Sequence, residues 1–443
     1  MYSEKVEKMF RDKGIFIGDR IRVRSGSAEF EGDLMPRPET GDTSIIVLKL
    51  ANGYNLGISS HGAEVSLLEK GSGAANFPSA QAKHDPKLRN ISLIYTGGTI
   101  GSKVDYKTGG VYMLTKPEEL LYEVPEIASI ANVDVNNLMS VASEDLSYKD
   151  WQSIAEAVRE SAEKGASGIV ITHGTDTMHY TSAALSFMLQ DISVPVILVG
   201  AQRSSDRGSS DAFINLICAA RVAAYGKPAG VYICMHASSS DDRCMLIRGT
   251  KARKMHTSRR DAFRPVNDKP IAYVSYTGAI EWLTDGAKTA ELKMELHLQT
   301  KFEPLVALVK AHPNSDPEII DFYMKKGYKG LIIEGTGLGH LPTATADGKF
   351  SWIPHVKKAV EKGAIIGITS QCLYGRTNNK VYRNLRLLAD AGAVYCEDMT
   401  PETAYVKLGW LLGNYDNETA KDLLGKNLAG EIKPRSSYDE FLV

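Results

Sequence analysis

The sequence predicts an α/β protein in which a small all-β module and a linker precede two domains built on parallel sheets. Three features carry that prediction. Residues Gly18 to about Leu68 alternate short β-type runs with turns. Gly71 to Asn90 is dominated by Gly, Ser, Ala, Pro and Lys, a composition too poor in apolar groups to order itself. From Ile91 buried apolar runs alternate with amphipathic stretches, and the alternation restarts at Leu305. A chain of 443 residues exceeds the size at which one hydrophobic core stops growing, so more than one domain is expected.

In chain order, Met1 to Gly14 lacks the apolar centre of a signal peptide, and no run approaches the roughly 18 apolar residues of a membrane span. The chain is therefore expected in the cytoplasm, away from membranes. The first β-type runs are Ile21 and Val23, Phe30 to Met35, Ile45 to Leu50, and Tyr54 to Ile58. Asn52-Gly53 before the last of these is a hairpin signal, because both residues tolerate positive φ. Residues 1–70 are accordingly read as a small β-barrel of the SH3 type and 71–90 as the linker.

In the first α/β domain, 91–285, the strand candidates are Ile91 to Tyr95, Gly168 to Thr172, Val194 to Val199 and Val231 to Met235. Ser147 and Asp150 form a capping-box pattern ahead of a helix with Trp151, Ile154, Ala155 and Val158 on one face. A second helix aligns Tyr180, Ala184, Phe187 and Met188. The charged stretch 286–303 is read as the inter-domain connection. The second domain, 304–443, has strand candidates at Leu305 to Lys310, Gly330 to Glu334 and Ala364 to Thr369.

Composition narrows the function classes. Lys plus Arg total 52 against 53 Asp plus Glu, a formal net charge of -1, so no global field draws nucleic acid or a membrane surface. The 5 cysteines, Cys218, Cys234, Cys244, Cys372 and Cys396, include no CxxC pair and no His at ligand spacing, which argues against a disulfide framework or zinc site. No metal or cofactor is expected in this chain.

Two hydroxyl-bearing turns stand where open α/β sheets place their ligands, at the carboxyl ends of strands. The first is Thr96-Gly97-Gly98-Thr99-Ile100, whose glycines let the backbone turn sharply and leave the Thr99 hydroxyl uncovered. The second is His173-Gly174-Thr175-Asp176-Thr177. Read singly, the first is also a strand-ending turn and the second a helix N-cap. A hydroxyl nucleophile needs a base nearby, and Lys254 in Arg253-Lys254-Met255-His256-Thr257-Ser258 could supply an amine, although by composition alone it is a solvated lysine in a basic run.

Together and in this order, TGGTI, HGTDT and the ARK-x-HTS segment resemble the bacterial-type L-asparaginases over roughly Asn90 to the C-terminus. The resemblance implies a two-domain asparaginase-like fold and hydrolysis of the side-chain amide of asparagine or glutamine. It assigns Thr99 as nucleophile and Thr175, Asp176 and Lys254 as the proton-relay group. Tyr106 would sit on a mobile loop and bond the nucleophile. Ser143 and Glu144, with Asp176, would hold the substrate's α-carboxylate and α-amino groups. His340 stands where many members place a residue that reaches into a neighbouring subunit's site. His173 and His256 are read as structural, and Cys372, with no base beside it, as no nucleophile.

The barrel and linker are extra to a plain asparaginase. With Gly200 to Arg207 and Tyr374-Gly375-Arg376, they resemble the ammonia-producing subunits of archaeal glutamyl-tRNA(Gln) amidotransferases. That resemblance implies a homodimer working with an E-type subunit, on which ATP and Mg would be bound, and free Gln or Asn as amide donor for Glu-tRNA(Gln). A free-standing cytoplasmic asparaginase is the alternative. A nonenzymatic RNA-binding or scaffold protein built on the barrel is the reading from another class. It has no need for Thr99, Thr175, Asp176 and Lys254 to coexist, and the barrel lacks the basic and aromatic stripe of an RNA binder.

Overall fold

The structure is a computed structural model that describes residues 2–35, 42–50, 55–71, 84–104, 111–113, 124–204, 209–226, 228–283, 296–346 and 348–441. The N-terminal module opens with a helix, Glu4–Asp12, capped where the Ser3 hydroxyl accepts the Val6 amide. The reading of Met1 to Gly14 only for an apolar leader missed this helix, yet Val6 and Phe10, four apart on one face, bury into the module's core. Five antiparallel strands follow, Arg20–Ser25, Ala28–Leu34, Ile45–Lys49, Asn55–Ser59 and Glu64–Glu69. The fifth pairs with the first, so the order places the fourth and fifth at opposite edges. Alternate residues Ile21, Val23, Leu34, Ile46, Leu48 and Val65 fill the interior.

The module closes on itself through Asp19. Its carboxylate accepts the Phe16 and Gly71 amides, both at 2.8 Å, and the Lys70 ammonium at 3.2 Å. Burial works against the charge, but these donors outweigh it and hold the carboxyl below its ordinary range. The expected Asn52-Gly53 turn and most of the 71–90 linker lie outside the described residues.

The large sheet has eight strands in the order Ile280–Trp282, Ala272–Ser275, Arg243–Arg248, Gly230–His236, Pro195–Val199, Ile169–Thr172, Asn90–Tyr95, Asn132–Asn137. The last five are mutually parallel, whereas the first three extend one edge antiparallel. The parallel part carries the four expected strands, and the antiparallel strands extend it into a mixed sheet. Short connections after Gly230–His236 and Ala272–Ser275 permit antiparallel return without a crossover helix. The helix Tyr148–Glu163 carries the expected capping box of Ser147 and Asp150 and buries Trp151, Ile154, Ala155 and Val158. The second domain is a four-stranded parallel sheet of Val306–Lys310, Gly330–Gly335, Ile365–Ser370 and Val394–Tyr395. Part of the 286–303 connection is itself a strand, His297–Leu298, paired with Leu189–Gln190.

The two α/β domains share one apolar core that runs from Ile94 and Phe187 to Trp410 and Leu424. Phe187 stacks on Trp410 at 5.6 Å, and Phe302 meets Trp151 edge-on at 5.5 Å. Buried polar pairs join the same surfaces. The Lys251 ammonium lies 2.8 Å from Asp398, both side chains all but inaccessible, and the Thr403 hydroxyl donates to the Thr250 carbonyl at 3.0 Å. Burial pushes the Lys251 amine down, and the Asp398 carboxylate works against that shift.

A buried ion pair that loses one member leaves an uncompensated charge. Asp398→Ala is therefore expected to lower unfolding stability by about 3–5 kcal/mol. The double change Lys251→Met with Asp398→Leu should recover much of that loss. Denaturant titration checks both, and an Asp398→Ala protein indistinguishable from the parent would contradict the prediction.

Candidate active site

The two hydroxyl-bearing turns lie side by side because the strands that feed them are neighbours. Asn90–Tyr95 and Ile169–Thr172 run parallel, with Tyr95 opposite Thr172. Beyond the strand ends the Thr96 hydroxyl donates to the Thr172 carbonyl at 2.6 Å. Gly97 and Gly98 turn with φ of 109° and 86°, a region that side chains avoid. Gly98 has a second constraint: a β-carbon there would stand 2.4 Å from the Gly174 amide nitrogen. The backbones of the two turns are thus in contact, one residue before Thr99 and one residue before Thr175. Thr99 opens a single 3-10 turn, Thr99–Gly101.

Thr175 is buried, and its amide donates to no group among the described residues. Lys254, at the end of the short strand Ala252–Lys254, donates to the Thr175 hydroxyl at 2.8 Å and to Asp176 at 2.7 Å. Its side chain is 10% exposed, against 67% for Asp176, so the pair presents its acidic member to solvent. Ser143 is buried against the second turn: a β-carbon on Gly174 would lie 2.8 Å from its hydroxyl oxygen, and its carbonyl accepts the Thr177 hydroxyl at 2.6 Å. Glu144 and Asp145 beside it are exposed.

The structure therefore brings Thr99, Ser143, Thr175, Asp176 and Lys254 to one sheet edge. Tyr106 lies outside the described residues. His340 is in the second domain, in the turn after Gly330–Gly335, where its ring meets Tyr382 at 5.1 Å and its backbone bridges to Thr336.

Two histidines near the site, His173 and His179, are neutral by burial. His173 is fully enclosed, and burial lowers its pKa to about 4, so Nδ1 carries a proton toward the Gly174 carbonyl at 2.6 Å. His179 is likewise lowered to about 4, by burial first, with the Glu402 carboxylate opposing. His256 accepts the Ser258 and Arg259 amides on one ring nitrogen, each at 3.1 Å, and so shapes the loop beyond Lys254.

Sequence reading missed the partners that fix the lysine strand. Arg253 pairs with Glu402 of the second domain at 2.6 Å, while its neighbour Lys254 reaches the opposite way. The alternating K-A-R-K residues carried the only local signal, since successive side chains of a strand leave on opposite faces. Among the described residues no cluster of three or more His, Cys, Asp or Glu could hold a metal.

Residues 90–287 match the asparaginase N-terminal family, residues 305–424 the glutaminase/asparaginase C-terminal domain, and residues 15–68 the GatD N-terminal domain. Among solved structures, the thermostable L-asparaginase from Thermococcus kodakarensis superposes with a TM-score of 0.68 at 30% identity, covering 78% of this chain and 99% of its own. L-asparaginase I from Vibrio cholerae gives the same values. Over the whole length the chain is 47% identical to the D-type subunit of the Pyrococcus furiosus glutamyl-tRNA(Gln) amidotransferase, covering 99% of this chain and 100% of the relative. It is 43% identical to the corresponding protein of Methanothermobacter thermautotrophicus, covering 99% of both. The asparaginase-like domains and the extra N-terminal module thus recur together in its full-length relatives, and the chain belongs to the family of D-type subunits of glutamyl-tRNA(Gln) amidotransferases.

Proposed function

We propose that this protein is the ammonia-generating subunit of a tRNA-dependent amidotransferase. It hydrolyses the side-chain amide of free glutamine or asparagine, and the ammonia serves a partner subunit that converts Glu-tRNA(Gln) to Gln-tRNA(Gln). The observation that carries the hydrolytic step is the Lys254 side-chain nitrogen held on both Thr175 and Asp176, beside the turn that bears Thr99. Thr99 attacks the amide carbonyl, and its hydroxyl proton passes through Thr175 to the Lys254 amine and from there to the departing nitrogen, which leaves as ammonia. The Thr175 amide is the donor for the developing oxyanion. Asp176 and Ser143, with Glu144, bind the substrate's amino acid head, and ammonia leaves before water releases the acyl group.

The chain needs no cofactor for this chemistry, and ATP and Mg belong to the E-type partner. The protein works as a homodimer, closed two-fold symmetry being the commonest oligomer form, with His340 close to the neighbouring site. Among the described residues no helix is long and apolar enough to cross a membrane, and the reaction belongs to the cytoplasm.

Thr99→Val keeps the side-chain volume and removes the hydroxyl. Ammonia release from asparagine and glutamine should fall by a factor on the order of 10⁴ or more with an unchanged melting temperature. Near-normal turnover would remove Thr99 from its role. Lys254→Met should lower kcat about 10²–10⁴-fold, the range of proton-transfer catalysis. If only KM rose, Lys254 would be a binding group instead. Deleting residues 1–85 should spare amide hydrolysis, because every proposed chemical group lies after Asn90. The deletion should, however, uncouple ammonia release from Gln-tRNA formation when the partner subunit is present. Equal coupling in both forms would show that the N-terminal module does not join the two reactions.

A further inference from the structure

Behind the second catalytic turn lies a buried hydrogen-bonded group that the chemistry above does not use. Pro195–Val199 ends at Gly200, where a β-carbon would come 2.7 Å from the His173 carbonyl and 2.9 Å from the Thr175 methyl. The Gly200 backbone is therefore the wall against which Thr175 rests. Asp211, with no solvent exposure, accepts the Gln202 amide on both carboxylate oxygens at 3.0 Å and the Arg203 amide at 3.0 Å. Asn215, also inaccessible, donates its side-chain amide to the Gly200 carbonyl and to Asp211, both at 3.0 Å.

These bonds fix the orientation of the whole group. The Gly200 carbonyl and the Asp211 carboxylate can only accept, so the Asn215 oxygen must face the other way, toward the buried His236. His236 Nδ1 lies 2.6 Å from that oxygen and so carries a proton. The other ring nitrogen faces Asp241 at 3.2 Å, and Asp241 also pairs with Arg260. The chain of contacts thus starts on the Gly200 wall and ends at Arg260, in the segment that follows Lys254.

We infer that Asp211, supported by Asn215 and His236, is a positioning residue of the active site: it pins the Gly200–Arg203 backbone against Thr175 and so keeps the Thr175 hydroxyl on Lys254. A buried carboxylate that accepts several amides is a stiff anchor, since each lost bond leaves a desolvated donor behind. A displacement of catalytic groups by about 1 Å can cost on the order of 10²-fold in rate. This positioning role rests on the proposed role of Thr175.

The test compares Asp211→Asn in the full-length protein with the parent and with a Thr175→Val background, using ammonia release from asparagine. Asp211→Asn turns one acceptor into a donor that opposes the Asn215 nitrogen. Its kcat should fall about 10–100-fold with little change in KM, and the loss should shrink or vanish once Thr175 is already Val. An unchanged kcat in folded Asp211→Asn overturns the inference, as does a loss that persists undiminished in the Thr175→Val background. Should Asp211→Asn fail to fold, His236→Gln and His236→Asn replace it. Asn offers an amide nitrogen near the place of Nδ1 and should retain more activity than Gln, and equal, undiminished activity in both overturns the role. Full turnover in Thr175→Val alone would instead overturn the reading of the site, and the positioning role with it.

Discussion

A lysine side-chain nitrogen held between a hydroxyl and a carboxylate is the contact on which the rest of this active edge depends. Lys254 can bridge Thr175 and Asp176 only if its backbone approaches the sheet edge from outside the parallel strands that carry the two turns. The short strand Ala252–Lys254 achieves that approach, paired with Phe263–Pro265. Three residues cannot hold their own position against solvent. They are held because Lys251 before them and Arg253 within them are ion-paired to the second domain, through Asp398 and Glu402. The second domain thus serves the first domain's chemistry at a distance, by fixing the strand that delivers the amine.

The same handling of charge runs through the surroundings. His173 and His179 are enclosed and neutral, their pKa values pressed to about 4 mainly by burial. Two buried ion pairs, Lys251 with Asp398 and Lys407 with Glu431, lie at 2.8 and 2.7 Å. A buried charge is tolerated only with such a partner or, as at Asp211, with several hydrogen-bond donors. Lys254 differs from these pairs, being nearly buried while its partner Asp176 faces solvent.

Much of this architecture was legible in the sequence, and the limits have physical causes. Strands buried on both faces read as continuous apolar runs, so Ile169–Thr172 and Pro195–Val199 stood out within one residue of their ends. The Ser147–Asp150 cap is a local pattern and was equally plain. Thr99, Thr175 and Lys254 were singled out through the resemblance of their motifs to the L-asparaginases, yet nothing local tells that the Gly98 and Gly174 backbones touch. Invisible altogether were pairings whose members lie far apart, such as Arg253 with Glu402, 149 positions on. Two- and three-residue strands such as His297–Leu298 and Ile280–Trp282 were missed because they are too short to show a period.

The N-terminal module stands apart from these dependencies. Its core is a separate apolar cluster, made by the capped helix and the inner faces of five strands. Asp19 ties the start of the module's sheet to its exit at Gly71, so the chain leaves close to where it came in. A module closed in this way needs no help from the α/β domains to bury its apolar face, and none of the groups at the catalytic edge comes from it. Its recurrence in full-length relatives at 43–47% identity is therefore not explained by the needs of amide hydrolysis. The same hydrolytic fold without it occurs in the L-asparaginases, which cover 78% of the chain. What separates this family from those enzymes physically is an added folding unit with its own core, and the demand that keeps it must lie outside amide hydrolysis.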